Sequence, residues 1–236
     1  MKFSVVLTVY KRKHLERQLL ALEKQTIKPD YLIVYQNENH INIEELKKKY
    51  NFIHVKSDYN TKFFGRFSYC MNLPVDICIV MDDDIIPGNR CFENYINQCL
   101  HLNGIIGGNG RYINSEPINV RNFEENYDET GLRKSKKVDF VGHLWCFKKD
   151  WLYYMFSIKP FTIDTGEDMH ICFTSKIRGN IDSYVAQHNN MDELCDITRN
   201  SLANDEYSSF KYTPSELRLN IQKHFIENYD LKPIIY

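Results

Sequence analysis

Short apolar runs and longer mixed segments alternate along the first hundred residues. Phe3-Ser-Val-Val-Leu-Thr-Val-Tyr10 is rich in β-branched residues and predicts a buried strand. Leucines at 15, 19 and 22 then mark one face of a helix over 13–25. Pro29-Asp30 makes a turn, Tyr31-Leu-Ile-Val-Tyr35 a second strand, 42–50 a short charged helix and 52–55 a third strand. Ile77-Cys-Ile-Val-Met81 is the fourth, closed by Pro87-Gly88 and followed by a helix over about 90–102. This alternation predicts an α/β fold whose central sheet is Rossmann-like and mostly parallel, with helices on both faces. In such sheets ligands gather beyond the carboxyl ends of the strands, here strands one, two and four.

The second half is less regular. Residues 104–110 hold four of the ten glycines, and a polar stretch runs on to Lys137. Val138–Phe147 predicts another strand, with a helix from Lys148. The apolar positions Met169, Cys172, Phe173 and Ile177 predict a helix over 167–178, and Ile181–Ala186 a last strand. From Met191 the chain turns polar and ends in a helix over 214–228. The aromatic and charged mix around Tyr207, Phe210 and Tyr212 suggests a helical cover on the core or a self-association surface.

At 236 residues the chain suits one large domain, which buries roughly 70% of its unfolded surface without staples. Thirty basic residues face thirty-one acidic ones, a balance that disfavours nucleic acid or anionic lipid as partners. No apolar run reaches the length of a membrane span, and Phe3–Val9 is too short for a signal peptide. Seven scattered cysteines, none spaced Cys-x-x-Cys, point to a reduced cytoplasmic compartment and away from structural zinc.

Three features invite chemistry. Asp82-Asp83-Asp84 directly follows the buried fourth strand. In an extended chain alternate side chains share a face, so Asp82 and Asp84 are expected to point together, and carboxylates that close ask for a cation. The plain alternative is a solvated acidic loop. Gly166-Glu167-Asp168-Met169-His170 opens a helix, where free amides and the helix dipole favour an ionised carboxylate. Taken alone, it is better explained by ordinary first-turn acids. His188 follows the last strand. Gly107-Gly108-Asn109-Gly110 has the wrong spacing for a dinucleotide fingerprint, and Arg133–Lys137 reads as a solvated basic loop.

In this order the pieces resemble GT-A-fold glycosyltransferases of the family 2 type. Ser4-Val-Val-Leu-Thr-Val-Tyr-Lys-Arg12 and Leu22-Glu-Lys-Gln-Thr-Ile-Lys-Pro-Asp-Tyr-Leu-Ile-Val34 are similar to their opening strand, helix and second strand. Asp82-Asp83-Asp84 resembles their Asp-x-Asp motif, Glu167-Asp168 their Glu-Asp motif, and His188 their late metal histidine. Asp139-Phe-Val-Gly-His-Leu-Trp-Cys-Phe147 adds a likeness to small enzymes of large DNA viruses, which would work in the host cytoplasm. Where relatives carry an acidic or amide pair after the second strand, this chain has Gln36-Asn37-Glu38.

The resemblance covers 1–190 as one catalytic domain, with a nucleotide-sugar half over 1–103 and an acceptor half over 104–190; 191–236 is then a C-terminal helical extension. It implies a nucleoside-diphosphate sugar, a UDP-sugar by preference, and a glycan or other hydroxyl acceptor. Thr8, Tyr10, Arg12, Gln36, Arg66, Asp82 and Asp83 fall on the donor side, and Asp84, Asp82 and His188 on a divalent metal. An imidazole ligand favours Mn²⁺ over Mg²⁺. Asp168 falls on the general base of an inverting transfer, with Glu167 orienting it or the acceptor. His143 and Trp145 fall on the acceptor pocket, core packing being the alternative for Trp145. Two other classes compete: a nucleotidyltransferase, whose glycine-rich N-terminal loop the Val9–Arg12 turn does not match, and a sugar-binding module without catalysis.

Overall fold

The computed structural model describes residues 1–115, 118–122, 132–188, 193–196, 202 and 205–234, with the backbone alone at 114–115, 118–122 and 210. The first half runs β1 (Phe3–Val9), α1 (Leu15–Glu23), β2 (Tyr31–Asn37), α2 (Glu44–Lys49), β3 (Ile53–Ser57), α3 (Gly65–Cys70), β4 (Ile77–Met81) and α4 (Cys91–Leu102). The second runs β5 (Ile105–Ser115), β6 (Ile118–Asn122), β7 (Lys136–Val138), β8 (Phe140–Lys148), a 3-10 turn (Lys149–Trp151), α5 (Leu152–Ser157), α6 (Glu167–Gly179), β9 (Ser183–Val185), α7 (Ser209–Tyr212) and α8 (Ser215–Tyr229).

The described strands form one sheet in the order β3-β2-β1-β4-β8-β5-β9-β7, with β6 paired to β5. From β3 to β4 every pairing is parallel. Ile77–Met81 is buried throughout, the continuous apolar run of a strand covered on both faces. Strand order reverses at β1, so a crevice opens beyond the carboxyl ends of β1 and β4. Beyond β4 the sheet becomes mixed. β8 lies antiparallel on β4 and sets Leu144 opposite Met81, which brings residues 142–145 to the same end.

Several elements escape the sequence pattern. The glycine-rich stretch, which no strand period marks, is the core of β5. A Cβ on Gly107 would stand 2.2 Å from that of Val141, so glycine is what lets β5 approach β8. α3 is a six-residue helix that no periodicity announces, held by the burial of Phe67 and Cys70. The basic stretch 133–137 is in part strand: Lys136 and Lys137 belong to β7, and Lys137 pairs with Asp182 at 2.8 Å.

α8 stands where the apolar spacing near the C-terminus predicts it. It lays Ile221 and Phe225 inward, with the Phe225 ring edge-on to Phe173 at 5.4 Å and to His170 at 5.5 Å. Residues 191–192, 197–201, 203–204 and 235–236 of the predicted extension, and the Phe210 side chain, lie outside the described residues.

The last described residues are tied to the sheet through Asp139, between β7 and β8. Its carboxylate accepts the amides of Ile113 and Ile234, each at 2.8 Å. Burial nonetheless raises this carboxyl from 3.8 to about 6. The folded chain therefore holds a proton that the unfolded chain has lost, so this contribution is complete below about pH 4 and vanishes as pH rises through 6. Asp139→Asn should flatten the fall of melting temperature over that interval. Parallel curves for the two proteins, measured by calorimetry, would dismiss the assignment.

Candidate active site

The strand geometry ends at Met81. The amide of Ile85 reaches back to the carbonyl of Asp82 at 3.4 Å, so the three aspartates occupy a turn. Gln18 fixes that turn: its buried amide donates to the carbonyls of Asp82 at 2.8 Å and Ile85 at 2.9 Å. The sequence does carry a signal for it, a polar residue beside Leu15, Leu19 and Leu22 on the apolar face of α1.

The three aspartates thus lie in a turn, to which the period-two alternation of an extended chain does not apply. Asp83 and Asp84 instead share one guanidinium, that of Arg12, whose Nη1 lies 2.6 Å from Asp83 and 3.1 Å from Asp84. Asp82 turns to Arg66. Burial, and next the charge of Asp82, pushes the Asp84 carboxyl up to about 7.

Arg66 on α3 organises the centre. Nη1 donates to Asp82 and, at 3.1 Å, to the Thr8 hydroxyl, while Nη2 donates to Glu167 at 3.0 Å. The guanidinium lies over the Trp145 ring, 4.9 Å from its centroid. Thr8 donates its own hydroxyl proton to the Met81 carbonyl, so it positions Arg66. Trp145 is 1% exposed and its indole N–H is taken by the Val141 carbonyl. It therefore offers no stacking surface to a sugar. Core packing beneath Arg66 is its role, because its place in β8 turns it into the sheet's packed face.

Glu167 and Asp168 open α6 after Gly166, whose φ of +81° is the left-handed conformation that glycine adopts without strain. Burial first, and then Asp168 beside it, push Glu167 up to about 8 against the pull of Arg66. Asp168 was expected to be exposed and kept low by the helix dipole. Instead burial raises it, opposed by its bond from the Met169 amide at 2.7 Å and by the charges of Arg218 and Arg111. His143 is on the same side. Its carbonyl accepts the Asp82 amide at 3.0 Å, and its φ of +71° inside β8 is a strained conformation for a residue with a Cβ.

On the side of β1 and β2 a polar network surrounds Tyr10, which packs its ring edge-on to His40 at 4.8 Å. Asn37 donates to Asn60, Asn60 to the Tyr10 hydroxyl, and Thr61 donates both backbone and side chain to Asn37. Asn37 ends β2 within the Gln36-Asn37-Glu38 segment, whereas Asn60, Thr61 and His40 went unmarked in the sequence because they converge from two separate loops. Gln36 is buried and committed at both ends, donating to the Ile41 carbonyl and meeting His54 at 2.8 Å. It holds the loop after β2, and Asn37 is the neighbour that faces the network.

The donor chemistry at the aspartate turn, all hard oxygens, fits a divalent cation. His188 is buried, and its Nδ1 lies 3.0 Å from the Ala186 carbonyl, within hydrogen-bond reach of it. Among the described residues no three acidic, histidine or cysteine side chains stand grouped as a metal centre. Arg12 is the cation that lies against Asp83 and Asp84.

Arg12 has a further partner. Its Nε and Nη2 grip both oxygens of Asp205, at 2.6 and 2.7 Å, and this pairing holds the Asp205 carboxyl below its ordinary value.

No protein-family model and no curated protein sequence matches the chain. In three dimensions it is similar to residues 1–349 of S. aureus TarS, a glycosyltransferase of the family 2 type, with a TM-score of 0.54 and 14% identity over 79% of this chain and 60% of that one. The match thus spans about three-fifths of that structure. The likeness establishes the fold: a mixed α/β architecture of GT-A type. The likeness to viral enzymes has no counterpart in these comparisons.

Proposed function

We propose that the chain is a metal-dependent glycosyltransferase. It moves a sugar from a nucleoside-diphosphate donor, a UDP-sugar, to a hydroxyl of a glycan or other acceptor, with inversion. One observation carries this reading: the guanidinium of Arg66 joins Asp82, at the end of β4, to Glu167, at the head of α6. A donor-side acid and a base-side acid thereby flank one crevice, at the switch point where α/β sheets bind ligands.

In the proposed reaction the acceptor O–H gives its proton to the Asp168 carboxylate as its oxygen bonds to the anomeric carbon. The bond from that carbon to the diphosphate breaks on the opposite face, and the diphosphate leaves with the electron pair. Glu167, protonated over much of the neutral range, is suited to donate a hydrogen bond to acceptor or base. Tyr10, Asn37 and Asn60 suit the nucleoside, and His143 the acceptor side. Arg12 offers a fork that suits phosphate oxygens. A divalent cation at Asp82 and Asp84, Mn²⁺ where His188 joins, would neutralise charge on the leaving diphosphate. Seven buried cysteines, none in a disulfide, fit work in a reducing compartment, the cytoplasm.

The test is melting temperature with UDP, with and without Mn²⁺. A ligand present at about 100 times its dissociation constant stabilises the native chain by about 2.7 kcal/mol. UDP with Mn²⁺ should raise the melting temperature of the wild type. Asp84→Ala should fold and lose the Mn²⁺-dependent part. Undiminished binding without Mn²⁺ would assign the neutralising role to Arg12 and remove the metal. No response to any nucleoside diphosphate would remove the donor reading.

A further inference from the structure

Asp205 reaches the site from 193 positions beyond Arg12 and takes two of its donors in a bidentate grip, while the third is divided between Asp83 and Asp84. A fork of two parallel N–H donors is what a guanidinium presents to a carboxylate or to a phosphate alike. With Arg12 committed in this way, the site holds Asp82, Asp83, Asp84, Glu167 and Asp205 against two guanidiniums. A diphosphate entering beside that set finds Arg12 already occupied.

The two partners are not equally fixed. The Arg12 side chain is 9% exposed and the Asp205 side chain 31%, so the acid has a path into water that the arginine lacks. The chain upstream of Asp205 is moored by its backbone. Gly88 donates to the Cys195 carbonyl and Arg90 to that of Glu193, each at 2.8 Å, and Asn94 holds Leu194. Downstream, α8 packs on α6 through Ile221 and Phe225. Asp205 itself is paired with Arg12 by side-chain charge.

We infer that Asp205 is an internal competitor of the donor diphosphate. It occupies the Arg12 fork in the empty enzyme, and donor entry exchanges one anion for the other and frees the segment around Asp205. This rests on the nucleotide-donor reading above. The exchange leaves Arg12 fully paired before and after, so the site never holds an uncompensated buried guanidinium.

The experiment compares UDP binding by calorimetry, with Mn²⁺ present, to the wild type, to Asp205→Asn and to Glu206→Gln, which removes a neighbouring exposed charge outside the grip. A latch closed about nine-tenths of the time weakens apparent affinity about tenfold, so Asp205→Asn should bind UDP about tenfold tighter. Glu206→Gln should match the wild type. The second readout is tryptic cleavage after the exposed Lys211, followed by mass spectrometry. It should be faster in Asp205→Asn without nucleotide, and faster in the wild type once UDP is added. Unchanged or weaker UDP binding by Asp205→Asn overturns the competition, as does cleavage of the wild type that UDP leaves alone. Equal tightening in Glu206→Gln reduces the effect to general charge and overturns it too. If UDP binds none of the three, the donor reading fails, and an unchanged cleavage rate in Asp205→Asn overturns the latch independently.

Discussion

Asp168→Asn is expected to lower turnover by roughly 10²-fold or more, the usual scale of a general base. The substitution is nearly isosteric, and its amide oxygen can still accept the Met169 N–H that the carboxylate now accepts. What it removes is the proton acceptor. Burial lifts the Asp168 carboxyl above its ordinary value, which brings its basicity nearer the working pH and strengthens it for proton abstraction. UDP affinity should barely change, since Arg12 and the aspartate turn are untouched. The anomeric configuration of the wild-type product, read by NMR, should be opposite to that of the donor. Retained configuration, or near-normal turnover in Asp168→Asn, sinks the role of this residue while leaving donor binding standing.

Arg66→Met should produce the largest loss of stability. Methionine keeps much of the volume over Trp145 and removes the charge between Asp82 and Glu167. Deleting one partner of a buried ion pair typically costs about 3–5 kcal/mol, because the other charge is left uncompensated. Glu167 can take up a proton, so the lower end applies, and about 3 kcal/mol in a chain of this size corresponds to a melting temperature lower by about 6–12 °C. Adding Asp82→Asn to Arg66→Met should recover part of the loss, since the stranded carboxylate is then neutral. A shift within about 2 °C for Arg66→Met, on the same scale, would show that solvent already screens the triad.

Both predictions concern residues that the sequence pointed to, but for different reasons. Glu167 and Asp168 could be placed because Met169, Cys172 and Phe173 define the helix they open. Arg66 came from resemblance, since its helix is six residues long and shows no period. Its two carboxylate partners were not readable from its surroundings. Asp205 carried no signal at all: one acid among thirty-one acidic residues, in a polar stretch, becomes a partner of Arg12 only once the chain has folded back across the site.

By itself the sequence determined the strands of the parallel half, its helices other than α3, and the positions of the acidic clusters. Burying one face of a helix, or both faces of a strand, imposes a local period, and β4 shows this in every residue from Ile77 to Met81. Tertiary structure alone decided which charges meet. The turn after Met81 gives Asp82 to Arg66 and Asp83 and Asp84 to Arg12, the close approach at Gly107 makes a central strand of a glycine run, and β8 brings His143 to Asp82 and buries Trp145. The physical reason is range. Hydrophobic periodicity is a property of neighbours along the chain, whereas an ion pair in a low-dielectric site is fixed by whichever groups the packed sheet brings within about 3 Å, however distant in sequence.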